Sequence, residues 1–166
     1  NAAKAISIGS DTIASHEWTS AYGGRAEAKN LGAAALGSWT QASGQFSIAV
    51  GGSDGNGRNN GAATIASGDR STAIGRNAKS AGADTIALGT GTQANDSDAV
   101  AVGTGAQATL ANSIAIGKNS VATGVFASDR KGRAIAVGFN TQALGEDSVA
   151  IGSGVDANAA ALAQNR

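Results

Sequence analysis

The chain has 166 residues, a formal net charge of zero and 25 glycines, and it lacks cysteine, methionine and proline. Disulfide frameworks, thiolate chemistry and cysteine-based zinc sites are therefore excluded, and a pI near 6.8 lacks the basic face that nucleic-acid binding requires. Leu, Ile, Val and Phe number only 28, too few for a conventional core, yet zero charge and strict periodicity do not describe a disordered chain either, so burial must come from stacked repeats or from oligomerisation.

Asn1 opens directly in repeat sequence with no signal peptide, and no run reaches the roughly 18 apolar residues of a membrane span. The chain is read as an excised or processed segment that makes no membrane contact of its own. A Gly closes each repeat at positions 9, 23, 37, 51, 75, 89, 103, 117, 138 and 152. Seven of the nine spacings are 14 residues; the others, 24 and 21, predict insertions near 52–61 and 125–131. So short and regular a repeat predicts a solenoid in which each unit stacks on its neighbours.

Units are numbered from the residue after one closing Gly to the next. In chain order, the pairs at positions 11 and 13 are Ile6/Ile8, the departure Ser20/Tyr22, the weaker Ala34/Leu36, Ile48/Val50, the weaker Thr72/Ile74, and then Ile86/Leu88, Val100/Val102, Ile114/Ile116, Ile135/Val137 and Val149/Ile151. Between them, position 12 is Ala in nine of ten units, as in Ala21, Ala101 and Ala150. Position 5 is Ala from Ala14 through Ala143 in most units, and counting extends it to Ala157. Positions 4 and 6 are mostly polar, as in Glu27/Lys29, Gln41/Ser43, Gln93/Asn95 and Gln107/Thr109. Positions 2 and 9 favour Asn, Asp and Gly, which tolerate the left-handed backbone of tight turns.

A 14-residue period also suits two coiled-coil heptads. The apolar residues, however, recur at i and i+2, are β-branched, and are interrupted by Gly about every seven residues, which favours strands. Each unit is thus expected to be two short strands and two turns. Ala at 5 and 12, with small residues at 3 and 10, faces a narrow interior; the pairs at 11 and 13 face out. About ten rungs at roughly 4.8 Å would make an apolar stripe some 45 Å long, more than a soluble monomer leaves exposed. A self-interface is the simplest cover, because every rung supplies the same residues at the same height.

Asn112-Ser113-Ile114-Ala115-Ile116-Gly117, with Asp147–Gly152 and Asp84–Gly89, resembles the repeat of the YadA-like heads of trimeric autotransporter adhesins, and the likeness covers nearly all 166 residues. The resemblance implies one all-β domain over 1–166: a left-handed parallel β-roll solenoid of 14-residue coils, joined side by side as a homotrimer through the stripe. The expected trimer interface is Ile6, Ile8, Leu36, Ile48, Val50, Ile74, Ile86, Leu88, Val100, Val102, Ile114, Ile116, Ile135, Val137, Val149 and Ile151. It also implies display on a Gram-negative surface, binding to host matrix proteins of the collagen, fibronectin or laminin class, and self-agglutination. After Ala157 the segment shows no neck, stalk or membrane anchor, so anchoring is assigned to a region outside it. The alternative role is a structural spacer that displays a more distal binding domain.

Catalysis finds little support, and no cofactor is expected. His16 is a solvated turn residue, and the recurring serines face inward without a fixed base. The run from Gly51 to Gly57 carries only Asp54 where a calcium-binding nonapeptide array needs carboxylates on consecutive turns. The Thr90/Thr92 pair has no continuation at Thr104/Ala106, as an ice-binding face would require. Loops can vary without breaking a stack, so Arg58, Asp129, Arg130 and Lys131 are the candidate ligand-contact residues. Trp18, Tyr22 and Trp39, close in sequence, are read as one group that caps or packs the trimer near the N-terminal end.

Overall fold

The structure, a computed structural model, describes residues 4–53, 63–123 and 133–154 and the strand Leu162–Ala163. Two ten-stranded parallel sheets face each other. The first stacks three-residue strands in chain order: β1 (Ile6–Ile8), β3 (Ser20–Tyr22), β5 (Ala34–Leu36), β7 (Ile48–Val50), β9 (Thr72–Ile74), β11 (Ile86–Leu88), β13 (Val100–Val102), β15 (Ile114–Ile116), β17 (Ile135–Val137) and β19 (Val149–Ile151). The second stacks the two-residue strands that alternate with them: β2 (Ile13–Ala14), β4 (Glu27–Ala28), β6 (Gln41–Ala42), β8 (Ile65–Ala66), β10 (Lys79–Ser80), β12 (Gln93–Ala94), β14 (Gln107–Ala108), β16 (Val121–Ala122), β18 (Gln142–Ala143) and β20 (Leu162–Ala163). This is the expected parallel solenoid, and no helix occurs among the described residues.

Pairing follows the repeat register residue for residue, as in Ile86↔Val100, Ala87↔Ala101 and Leu88↔Val102. Small residues dictate how close the sheets come. The fully buried side chains are Ala, Ser and Thr, with Thr the largest. Most inward hydroxyls donate to the carbonyl three residues back, as Thr40 Oγ1 does to Gly37 O at 2.8 Å and Ser120 Oγ to Gly117 O at 2.9 Å, whereas the buried Ser71 Oγ has no protein partner.

The closing Gly is required by contact as well as by backbone conformation. At Gly37, φ is +112°, and a Cβ would lie 1.7 Å from the carbonyl oxygen of Gly51 on the next coil. Positions 2 and 9 are left-handed in most coils, at Asn77, Asn112 and Asp147 as expected, but also at Lys4, Trp18, Arg25, Trp39, Phe46, Arg70 and Arg133.

Two expectations need correction. The strand of the last half-coil is Leu162–Ala163, paired with Gln142–Ala143, so Ala163 takes the register that counting gave to Ala157. Ala157 itself lies outside the described residues, and the coil pattern extends past it. The outer face of the second sheet is also less uniformly polar than its mostly Gln and charged ladder suggests, since Ile13, Ile65 and Val121 share the register of Gln41 and Gln107.

Candidate binding surfaces of the roll

All sixteen stripe residues lie on the outer face of the first sheet, in two adjoining ladders. One runs Ile86, Val100, Ile114, Ile135, Val149; the other runs Leu88, Val102, Ile116, Val137, Ile151. Side chains in a strand alternate faces, so burying Ala101 and Ala115 between the sheets forces their Val and Ile neighbours outward. In the single chain none of the sixteen is buried, and Ile151 is 74% exposed. The stripe weakens at Ser20 and Ala34 in the second and third coils and is continuous from Ile86 onward.

The turns form two edges, and hydrogen bonds tie each turn to the next. Turns that leave the first sheet are joined by bonds such as Trp39 N to Gly24 O at 3.0 Å; turns that leave the second are joined by bonds such as Phe46 N to Leu31 O at 2.8 Å. Side chains at one turn position therefore stack about 4.8 Å apart.

Most turn positions hold Asn, Asp or Gly, but the first four coils place bulky residues in the left-handed conformation: Trp18 and Trp39 at φ 64°, Arg25 at 58° and Phe46 at 54°. That conformation costs a bulky residue about 1–2 kcal/mol, and such outliers concentrate where side-chain placement matters. Arg25 is held between Asp11, at 3.4 Å from Nε, and the Trp39 ring, whose centre is 4.4 Å from Cζ. Asp11, Ile13, Arg25, Glu27, Trp39, Gln41 and Ala63 border a shallow groove of about 450 Å³ on that edge. On the opposite edge, Glu17, Trp18, Leu31 and Phe46 border an apolar cleft of about 350 Å³.

Trp18, Tyr22 and Trp39 do not form one group, contrary to their closeness in sequence. Trp18 lies in the turn after β2, Tyr22 on the striped face and Trp39 in the turn after β5. A separation of 4 or 17 residues does not return to the same point of a 14-residue coil.

Lower on the edge that holds Trp18, Arg70 grips Asp84 of the next coil with two bonds of 2.6 Å. These bonds hold the Asp84 carboxyl below its ordinary value and raise the Arg70 guanidinium. A carboxylate whose folded pKa is depressed stabilises the fold above its unfolded pKa of about 3.9, and loses that contribution as pH falls through the lower folded value. Asp84→Asn keeps a residue suited to this backbone and removes the charge. The melting temperatures of wild type and variant should therefore differ slightly at pH 7 and converge below about pH 4; a gap unchanged by pH would assign the effect to the backbone. Arg133 repeats the arrangement with Asp147 at 2.7 Å.

The YadA head domain repeat matches over residues 28–53, 61–78, 66–92, 80–106, 94–120, 108–128 and 132–154, more than half of the chain. The chain belongs to the YadA head family. Comparison with curated proteins finds no match. Within this YadA head, the matched segments begin at Ala28, so the coil of Glu17 and Trp18 lies before the first of them. Arg58, Asp129, Arg130 and Lys131 lie outside the described residues, as does Asp54.

His16 is exposed in a turn, where its carbonyl accepts the Thr19 hydroxyl at 2.7 Å. Among the described residues no three metal-ligating side chains gather, and no helix is long and apolar enough to cross a membrane. The edge residues Glu17, Arg25, Leu31 and Phe46 were not singled out by sequence reasoning. Their signal was present as breaks in the Asn/Asp/Gly rule at positions 2 and 9, at Arg25 and Phe46, with Trp18 and Trp39 beside them.

Proposed function

We propose that the chain is the head of a trimeric adhesin on a Gram-negative bacterial surface, anchored through a region outside this segment. Three copies pack their stripes together, and the assembled head binds host matrix or host-cell proteins of the collagen, fibronectin or laminin class and promotes self-agglutination. The observation that carries this reading is the mismatch between inside and outside: Ala, Ser and Thr fill the interior while Ile, Val and Leu stand outside in register. A chain that buries its small residues and exposes its large ones gains about 1 kcal/mol or more for each half-exposed Ile or Val that a sister chain covers. Repeated shallow binding surfaces, shown three times per head, raise avidity without a deep pocket.

The regular coils from Asn77 to Asn140, whose position 2 holds only Asn or Gly, favour the second reading, a spacer that holds a binding region away from the cell. Solid-phase binding of the trimer to immobilised collagen, fibronectin and laminin separates the two. Saturable binding to at least one, competed by soluble ligand, is expected. Binding to none, with trimer and fold intact, would leave the spacer. Deleting 52–61 or 125–131 restores the 14-residue spacing and tests whether Arg58, or Asp129, Arg130 and Lys131, make the contact; each deletion should leave the fold in place and lower binding.

A further inference from the structure

We infer that the cleft between Trp18 and Phe46 receives an arginine or lysine side chain from a partner protein. The edges of the roll follow a local rule. Lys4 Nζ lies 4.8 Å from the centre of the Trp18 ring, Arg25 Cζ 4.4 Å from that of Trp39, and Lys118 Nζ 5.9 Å from that of Phe139. In each case the cation comes from the same turn position one coil earlier, so the stack brings it to the ring. Phe46 breaks the rule, because the residue one coil before it at that position is Gly32. Among the described residues no cation lies over Phe46, whose ring leans against Gly32 and forms one wall of the cleft.

What surrounds that place suits a cation from outside. Trp18 and Phe46 are 61% and 57% exposed, and Leu31 and Glu17 complete the cleft. Hydrogen bonds from Gly32 N to Glu17 O at 3.1 Å and from Phe46 N to Leu31 O fix the three coils in sequence, so the two ring-bearing residues are anchored about 10 Å apart. A cation seated in the cleft borders both aromatic side chains, whose ring faces attract it. Glu17 makes no ion pair among the described residues, and its carboxylate at the rim favours a cation over an anion. Both aromatic residues hold left-handed backbone, which bulky side chains adopt only at a cost, and Gly32 leaves room for the Phe46 ring: a Cβ at 32 would meet Phe46 Cδ1 at 2.5 Å. An arginine adds a planar group and an apolar stem, which match two rings and Leu31.

The inference rests on the adhesin reading only for the partner being a protein, and it is tested without any matrix protein. A short neutral peptide with one central arginine is titrated against the Trp39→Phe head, whose emission then reports Trp18 alone. A second peptide carries citrulline in place of arginine. The arginine peptide should shift the emission saturably and the citrulline peptide should bind at least fivefold more weakly. Phe46→Ala should weaken the arginine peptide about five- to tenfold, and Glu17→Gln about two- to fivefold. Equal binding of the two peptides, or unchanged binding to Phe46→Ala, would overturn the inference. So would loss of the oligomer in Phe46→Ala, since the cleft would then face a second copy. Failure here with matrix binding intact leaves the adhesin reading standing; the converse leaves a cation site on a spacer.

Discussion

Ile114→Asp combined with Ile116→Asp is expected to convert the trimer to separate chains, or to prevent its recovery as folded protein. Both residues point outward from β15 in the middle of the continuous part of the stripe, where each is flanked by Val or Ile on the coils before and after. In the proposed trimer the double substitution brings six carboxylates together in an apolar seam, with no described cation on that face at this height. Burying unpaired charges costs several kcal/mol per ion, far above what two isoleucines contribute. Sedimentation equilibrium should show the mass fall to one third, and the melting transition should become dependent on protein concentration in milder variants such as Ile114→Thr. The control is Gln107→Asp on the opposite sheet, which should leave the trimer unchanged. A trimer that survives the double substitution would mean that the chains meet elsewhere.

Ala115→Leu, one residue away, is expected to fail differently, by preventing the coil from closing. Ala115 is fully buried between sheets whose largest enclosed side chain is Thr, and its neighbours along the ladder are Ala101 and Ala136. Overpacking an ordinary core costs about 1–3 kcal/mol because side chains around it shift. Here the neighbours are methyl groups and backbone, with nothing to shift except the sheets, so the cost should exceed about 3 kcal/mol. The variant should be recovered unfolded or with a strongly lowered melting temperature, whereas Ile114→Leu should melt near wild type. The two substitutions invert the usual rule that large apolar side chains belong inside.

The roll was legible in sequence because its constraints repeat. One Ala between sheets is weak information, but Ala at position 12 from Ala21 to Ala150, flanked each time by outward residues, admits a single face assignment, and the pairing of Ala87 with Ala101 and Ala115 follows it. The register slipped only where the sequence offers several equivalents. Counting from Gly152 reaches Ala157, but the apolar-Ala step of Ile13–Ala14, Ile65–Ala66 and Val121–Ala122 recurs at Leu162–Ala163, and chemistry prevailed over spacing.

The edges were harder to read for a physical reason. Left-handed turns select Asn, Asp and Gly, so a reader looks for agreement with that preference, while the informative residues are those that violate it. Trp18 and Phe46 are seen as a pair only after the 14-residue coil is wound, because 28 residues of sequence collapse to two rungs. The separation of Trp18 from Trp39 has the same origin.

The hydrogen bonds between coils have a mechanical consequence. Bonds such as Ile114 N to Ala134 O and Gly117 N to Val102 O join strands that lie across the roll, so they point along its length. A pull on the two ends of one chain therefore loads the coils in series, and each coil carries the whole force on its own few bonds. The roll yields by peeling from an end, one coil at a time, at a load that does not grow with the number of coils. In the proposed trimer, strength then comes from sideways contact between chains. Where the stripe is thin, at Ser20 and Ala34, a chain under tension has the least lateral support, and where it is continuous, from Ile86 to Ile151, it has the most.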